Sequence, residues 1–164
     1  MDHRSRPCVV VGVDRSLHGL AALRLAVTEA ARRGVPLRAV RAQSDLVAPT
    51  DYGEIDAAFA EALGGFPRGV EVHKELAVPP VAAALTRRAD GEGDLLVIGE
   101  SGRGMWHAFW FGSVARACLR RARCPVLVVP APEMAHSVWR HRASWRRADD
   151  VWQRFEEERP SLRG

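Results

Sequence analysis

The segment Cys8-Val-Val-Val-Gly-Val13 is apolar at every position. A strand with one face in water alternates polar and apolar residues, so an unbroken apolar run points to a strand covered on both faces. The chain around it agrees. Residues 17–33 carry Leu20, Ala21, Leu23, Leu25, Ala26, Val27 and Ala30 on a broad helical face, and Gly34 stands where a helix-ending C′ residue belongs. Residues 37–42 predict a second strand, 43–53 a loop, about 54–63 a short helix and 70–76 an alternating third strand. Pro79-Pro80 opens a helix through Arg88, since proline is tolerated in a first turn. Asp90-Gly-Glu-Gly93 reads as a loop, Asp94 leads a strand over 95–98, a helix runs from 113 to about 122, and a last strand spans 126–129. Strands alternating with helices predict βαβ units and a doubly wound α/β fold on a five-stranded parallel sheet. Its ligand crevice should lie beyond the C-terminal strand ends, where strand order reverses. Asp14, Ala42 and the stretch from Gly99 to Gly102 fall at such ends.

At 164 residues, 47% hydrophobic and 27% charged, the chain has the size and balance of one ordinary globular domain. No apolar run approaches the roughly 20 residues needed to span a bilayer, and no apolar signal segment precedes the first strand. A cytoplasmic protein is expected. The net charge is +4, and nearly all positive charge is arginine because Lys74 is the only lysine. Twenty acidic residues are interspersed, and the core region lacks a basic stripe with interleaved aromatics, so no nucleic-acid partner is expected. Cys8, Cys118 and Cys124 have neither CxxC spacing nor companion histidines, which predicts reduced, buried thiols.

The stretch Val97-Ile-Gly-Glu-Ser-Gly-Arg-Gly-Met-Trp-His-Ala-Phe-Trp-Phe-Gly-Ser-Val114 carries the chemistry. A strand ends, glycines let the backbone turn, and a helix N-terminus presents free N–H groups whose dipole favours an anion. Other nucleotide fingerprints are missing. There is no GxxxxGK[ST], and residues 12–19 lack the dinucleotide pattern GxGxxG. The loop Asp14-Arg-Ser-Leu-His18 also lacks a run of hydroxyl residues to hold a flavin phosphate.

What remains is G-x-x-G-x9-G-S, met by Gly99, Gly102, Gly112 and Ser113. With Val-Gly-Val-Asp14-Arg-Ser16 before it and Cys124-Pro-Val-Leu-Val-Val-Pro130 after it, the chain resembles a universal stress protein over roughly residues 8 to 130. The resemblance implies an adenine nucleotide alpha hydrolase-like sheet in order 3-2-1-4-5, and its glycine pattern marks the ATP-binding branch. It also implies Asp14 near the adenosine, backbone at Ala42 on the adenine and backbone around Ile98 and Gly99 along the ribose. Gly102, Arg103, Gly112, Ser113 and Val114 would surround the phosphates. Glycines allow close backbone approach, the Ser113 hydroxyl can donate, and Arg103 offers a charged fork.

Two positions depart from the family pattern. Glu100 stands where a small hydroxyl residue is usual, and Ser101 where an arginine or histidine is. Glu100 either repels a triphosphate or becomes a ligand to Mg²⁺ or Mn²⁺, hard ions that take oxygen ligands. Arg41 replaces a common histidine and is read as neutral, and His18, His73 and His107 receive no role. Trp106, Phe109, Trp110 and Phe111 within the spacer are expected to form a plug under the loop, a dock for the tail, a lid over the phosphates or an exposed patch for a partner.

The organisation expected is a nucleotide-binding domain over residues 1–132 and a helical extension over 133–164. In the extension Val138, His141, Trp145, Ala148, Trp152 and Phe155 give an amphipathic helix. It packs on its own domain, or forms a dimer or partner surface; Glu156-Glu-Glu158 opposes an anionic membrane. The leading expectation is an ATP-binding regulatory protein, homodimeric through the edge near the last strand and signalling through a protein partner. No base or water-orienting residue for phosphoryl transfer is visible, so at most slow ATP hydrolysis or self-phosphorylation is expected. The competing expectation is a nucleotide-free interaction module that works through dimerisation and the Trp-rich tail. A third is another adenosine-containing or anionic ligand, such as a cyclic nucleotide, in the same crevice.

Overall fold

A computed structural model describes residues 6–43, 51–100 and 112–130. The elements alternate as β1 (Val9–Gly12), α1 (Leu17–Arg33), β2 (Leu37–Ala42), α2 (Gly53–Leu63), β3 (Val72–Ala77), α3 (Val81–Arg88), β4 (Leu95–Gly99), α4 (Ser113–Arg121) and β5 (Val126–Val129). All neighbouring strands are parallel, and the sheet order is β3-β2-β1-β4-β5, the order implied by the family resemblance. The expected helical extension over 133–164 lies outside the described residues.

The all-apolar first strand has the cause expected of it. Val9 and Val11 enter a core cluster with Ala22, Leu23, Ala26, Ile55 and Phe59 from α1 and α2. Val10 points the other way, into a cluster with Leu85 of α3 and Cys118 of α4. All three valines are fully buried, each contributing roughly 1.5–3 kcal/mol by leaving water. Along α1 the innermost face is Gly19, Ala22, Leu23, Ala26, Val27 and Ala30. Small residues there let the helix lie close to the sheet, while Ala21 and Leu25 are only half-buried.

Gly34 caps α1 in the left-handed conformation, donating to the helix's last carbonyls as expected. β3 begins two residues later than the alternation predicts, at Val72 rather than at 70. Gly69 has φ +81, which turns the chain. Pairing with β2 starts at Leu37↔Val72, preceded by a bond from Leu37 N to the Glu71 carbonyl at 2.8 Å. Pro80 precedes α3 as its N-cap rather than lying inside it.

One buried carboxylate holds the lower edge of the sheet. Asp94 is 4% exposed and accepts from Cys8 N and Gly91 N, both at 2.9 Å. It joins the start of β1 to the loop before β4, satisfying the buried N–H of Cys8 and the half-buried N–H of Gly91. The three cysteines are buried and free. Burial, helped by Asp94, pushes the Cys8 thiol up to about 12, and burial pushes Cys118 up to about 11. Cys124 is raised by the same cause.

Candidate functional site

Three central strands end level with one another. Gly12 pairs with Val40 and Val11 with Val97, so two residues further on Asp14 stands level with Ala42, and Gly99 with Val13. Strands are ~4.8 Å apart, so the edge from β2 across β1 to β4 is ~10 Å wide, the breadth of a nucleoside. The helices change faces here. α1 and α2 cover one side and α3 and α4 the other, which makes the gap between β1 and β4 the switch point. Asp14 and Gly99 flank that gap.

Asp14 follows Val13, whose N–H extends the ladder to the Val40 carbonyl at 2.8 Å. Its Oδ1 accepts from Ser16 N at 2.8 Å and from the Ser16 hydroxyl. Ser16 is the N-cap of α1, and its Oγ accepts from Gly19 N at 3.1 Å. This chain of bonds is an ordinary N-cap reinforced by a carboxylate. It leaves no room at the third helical position. A Cβ on Gly19 would lie 2.5 Å from the Asp14 carbonyl oxygen and 2.7 Å from its Cγ.

β4 closes on the same turn. A Cβ on Gly99 would lie 2.8 Å from His18 C and 2.9 Å from both His18 O and Gly19 N. The first glycine of the motif therefore serves a backbone-to-backbone approach of β4 and α1. Asp14, the His18–Gly19 turn and Gly99 form one contiguous group. Gly19 was not singled out from the sequence, although Asp14-x-Ser16-x-x-Gly19 carries the spacing of a capped helix start.

The other candidate positions sit as follows. Ala42 ends β2 and is exposed, with the next N–H, on Gln43, bonded to the Ala77 carbonyl at 2.8 Å. Ile98 is buried on the α3 and α4 side, so it can offer a ligand only backbone. Glu100 is half-buried, and its N–H donates to the Val129 carbonyl at 2.8 Å. Gly112 is the N-cap of α4 and supplies no side-chain cap. The first bond of that helix runs from Arg116 N to the Gly112 carbonyl at 3.0 Å, so the N–H groups of Ser113, Val114 and Ala115 have no intrahelical acceptor. Ser113 is exposed, and Val114 packs its side chain on the α3 and α4 core. Gly102, Arg103, Ser101 and the aromatic group of the spacer lie outside the described residues.

Two arginines at this edge are already partnered. Arg15 pairs with Glu61 and, at 3.8 Å, with Glu54; Arg41 reaches Glu54 at 3.4 Å. The Arg15 guanidinium holds the Glu61 carboxyl below its ordinary range. Arg41 thus joins the end of β2 to the first turn of α2. Among the described residues no group of three or more His, Cys, Asp or Glu could hold a metal ion, and no helix is long and apolar enough to cross a membrane.

A doubly wound parallel sheet whose strand order reverses between β1 and β4 defines an α/β protein of the class that carries ligand sites beyond the C-terminal strand ends. The universal stress protein family matches residues 8–130, and the chain belongs to it. A universal stress protein of Mycobacterium tuberculosis is 33% identical over 144 residues, covering 77% of this chain and 48% of the relative. The chain thus spans about half the length of the curated relatives it matches. A universal stress protein solved in complex with cAMP superposes with a TM-score of 0.60 at 27% identity, over 76% of this chain and 97% of that one. The Archaeoglobus fulgidus universal stress protein in complex with dAMP gives 0.55 at 26% identity, over 75% and 97%.

Proposed function

We propose that this chain is a regulatory protein of the cytoplasm that binds ATP, with Mg²⁺ or Mn²⁺, across the ends of β2, β1 and β4. The observation that carries the reading is the start of α4, where three N–H groups without intrahelical acceptors follow a glycine cap, reached from β4 through the glycine-rich segment. The solved relatives in complex with cAMP and dAMP support an adenine nucleotide as the ligand class. Asp14 and the backbone of Ala42, Ile98 and Gly99 would face the nucleoside. Gly102, Arg103, Gly112, Ser113 and Val114 would hold the phosphates. With no three-residue metal cluster among the described residues, an ion at Glu100 would be completed by phosphate and water oxygens, as Mg²⁺ prefers.

We assign no catalytic residue; slow hydrolysis or self-phosphorylation would be a secondary property. Output would pass through a protein partner or a homodimer formed at β5. That edge strand pairs only with β4 among the described residues, and all four of its apolar residues are half-exposed. The division into a nucleotide-binding domain over 1–132 and a helical extension over 133–164 is part of the same proposal. A nucleotide-free interaction module is the second reading, and half-buried Glu100 favours it, since a carboxylate beside a triphosphate repels it unless a metal intervenes.

Calorimetric titration of nucleotide-stripped protein with ATP, with and without Mg²⁺, decides between them. Micromolar binding lost in Gly112→Val supports the ATP reading. No heat up to millimolar ATP defeats it. Glu100→Ser strengthens binding if the native carboxylate only repels, and abolishes metal-dependent binding if Glu100 is a ligand. Light scattering on the same samples reports the dimer, and a monomer at every concentration removes that part.

A further inference from the structure

The two helical layers on the sheet differ in charge. α1 and α2 together carry three arginines and four acidic residues, whereas α3 and α4 carry five arginines and no acidic residue. A cation in the last turn of a helix is favoured by the helix dipole, and α1, α3 and α4 each end in a pair of arginines. The pairs are then treated differently. Arg32 and Arg33 of α1 both close on Glu29, at 2.8 and 3.1 Å. Arg88 of α3 pairs with Glu75. Arg87 of α3, Arg120 and Arg121 of α4, and Arg123 just beyond it are exposed and make no ion pair among the described residues.

Both helices run back from the C-terminal to the N-terminal strand ends, and they share one apolar cluster through Leu85 and Cys118. Their last turns therefore gather these arginines at the end of the sheet opposite the candidate nucleotide site. Asp90 and Glu92, in the loop after α3, are exposed and pair with none of them. Four cations thus share this end with two anions. Leu119, in the same last turn as Arg120 and Arg121, is 45% exposed.

Arginine around an apolar centre is the composition of a protein interface. Its guanidinium fork matches a carboxylate in two parallel hydrogen bonds. A nucleic-acid backbone would use the arginines but not Leu119, and nucleic-acid faces interleave basic residues with aromatics. The aromatic rings Tyr52, Phe59 and Phe66 lie on the α1 and α2 side instead.

We propose that the last turns of α3 and α4 form a docking surface for an acidic amphipathic segment of a partner protein. Its carboxylates pair with Arg87, Arg120, Arg121 and Arg123, and its apolar side chains cover Leu119. The proposal rests on the protein-partner part of the reading above and does not depend on nucleotide binding.

The test is fluorescence anisotropy on the full chain with a labelled helical peptide of Glu, Ala and Leu, about 18 residues or five turns long, its leucines on one stripe. Saturable binding should weaken about tenfold in the double change Arg120→Glu with Arg121→Glu. It should weaken further as salt rises, because exposed charges are screened. Leu119→Ser should cost about threefold. Arg68→Glu, which reverses an exposed arginine without an ion pair in the loop after α2, should stay within about twofold of wild type. Thermal melts of each variant check the fold, and Arg120→Gln with Arg121→Gln replaces the reversal if that lowers the melting point. No saturable binding, an equal loss in Arg68→Glu, or wild-type affinity in Leu119→Ser overturns the proposal. So does a DNA duplex that binds more tightly than the peptide through the same arginines, or a homodimer that Leu119→Ser dissociates, since the face then belongs to nucleic acid or to a second copy. Peptide binding without ATP binding is a different result, which removes the nucleotide reading and leaves this one.

Discussion

Replacing Gly99 with alanine tests whether the first motif glycine is needed for folding before any ligand arrives. Glycine to alanine at a permissive position stabilises by roughly 0.4–1 kcal/mol through the unfolded state. Here the added methyl meets His18 C at 2.8 Å and His18 O and Gly19 N at 2.9 Å, against about 3.5–4.0 Å for a relaxed contact between carbon atoms. All three are backbone atoms, so no side chain can swing away. One side of the contact is tied by the Glu100 N to Val129 O bond at 2.8 Å, the other by the Ser16 cap and Asp14. Overpacking of this kind costs about 1–3 kcal/mol, and loosening the cap adds about 1 kcal/mol. We expect a net loss of ~2–3 kcal/mol in ligand-free protein, a fall in Tm of about 10 °C for a domain of this size. Urea and thermal melts followed by circular dichroism measure it. Gly34→Ala is the control, since its site is open and its φ of +64 carries only the left-handed penalty, about 1 kcal/mol. The double change Gly19→Ala with Gly99→Ala should cost less than the sum, because both displace the same turn of α1. A ligand-free Tm for Gly99→Ala equal to or above wild type, with only nucleotide affinity reduced, refutes the reasoning.

Two further outcomes follow from buried groups. Asp94→Ala strands the N–H groups of Cys8 and Gly91 and should cost ~2–4 kcal/mol, with faster amide exchange at residues 8 and 91; an unchanged urea midpoint contradicts that role. The thiols of Cys8 and Cys118 are raised to about 12 and about 11 from 9.0, so the unfolded chain deprotonates first. Their contribution is whole below pH 9 and is lost as pH rises through 9 to 12. Melting points should fall over that window, less so in Cys8→Ala, and iodoacetamide at pH 8 should label these residues only on unfolding.

Much of this architecture was written in short stretches of chain. The all-apolar first strand, the helical face over residues 17–33, the stop at Gly34 and the strand over residues 37–42 stand where local patterning put them. Side-chain period and turn chemistry act within a few residues and need no knowledge of distant neighbours. The start of β3 was misjudged because alternation continues through a turn at Gly69, while hydrogen bonding to β2 begins only at Val72. The family was legible too, from three motifs in order over residues 8–130.

What the tertiary structure alone decided are contacts between residues far apart in the chain. Gly99 rests on His18 and Gly19, Asp94 holds Cys8 across 86 residues, and Arg41 anchors Glu54. In the sequence Gly99 reads as a glycine whose backbone lines a ribose; in the fold, the space its side chain would fill belongs to α1. Periodicity says which face of an element is buried but not which neighbour buries it. That depends on β1 lying between β2 and β4, and on how closely small residues let their helices approach.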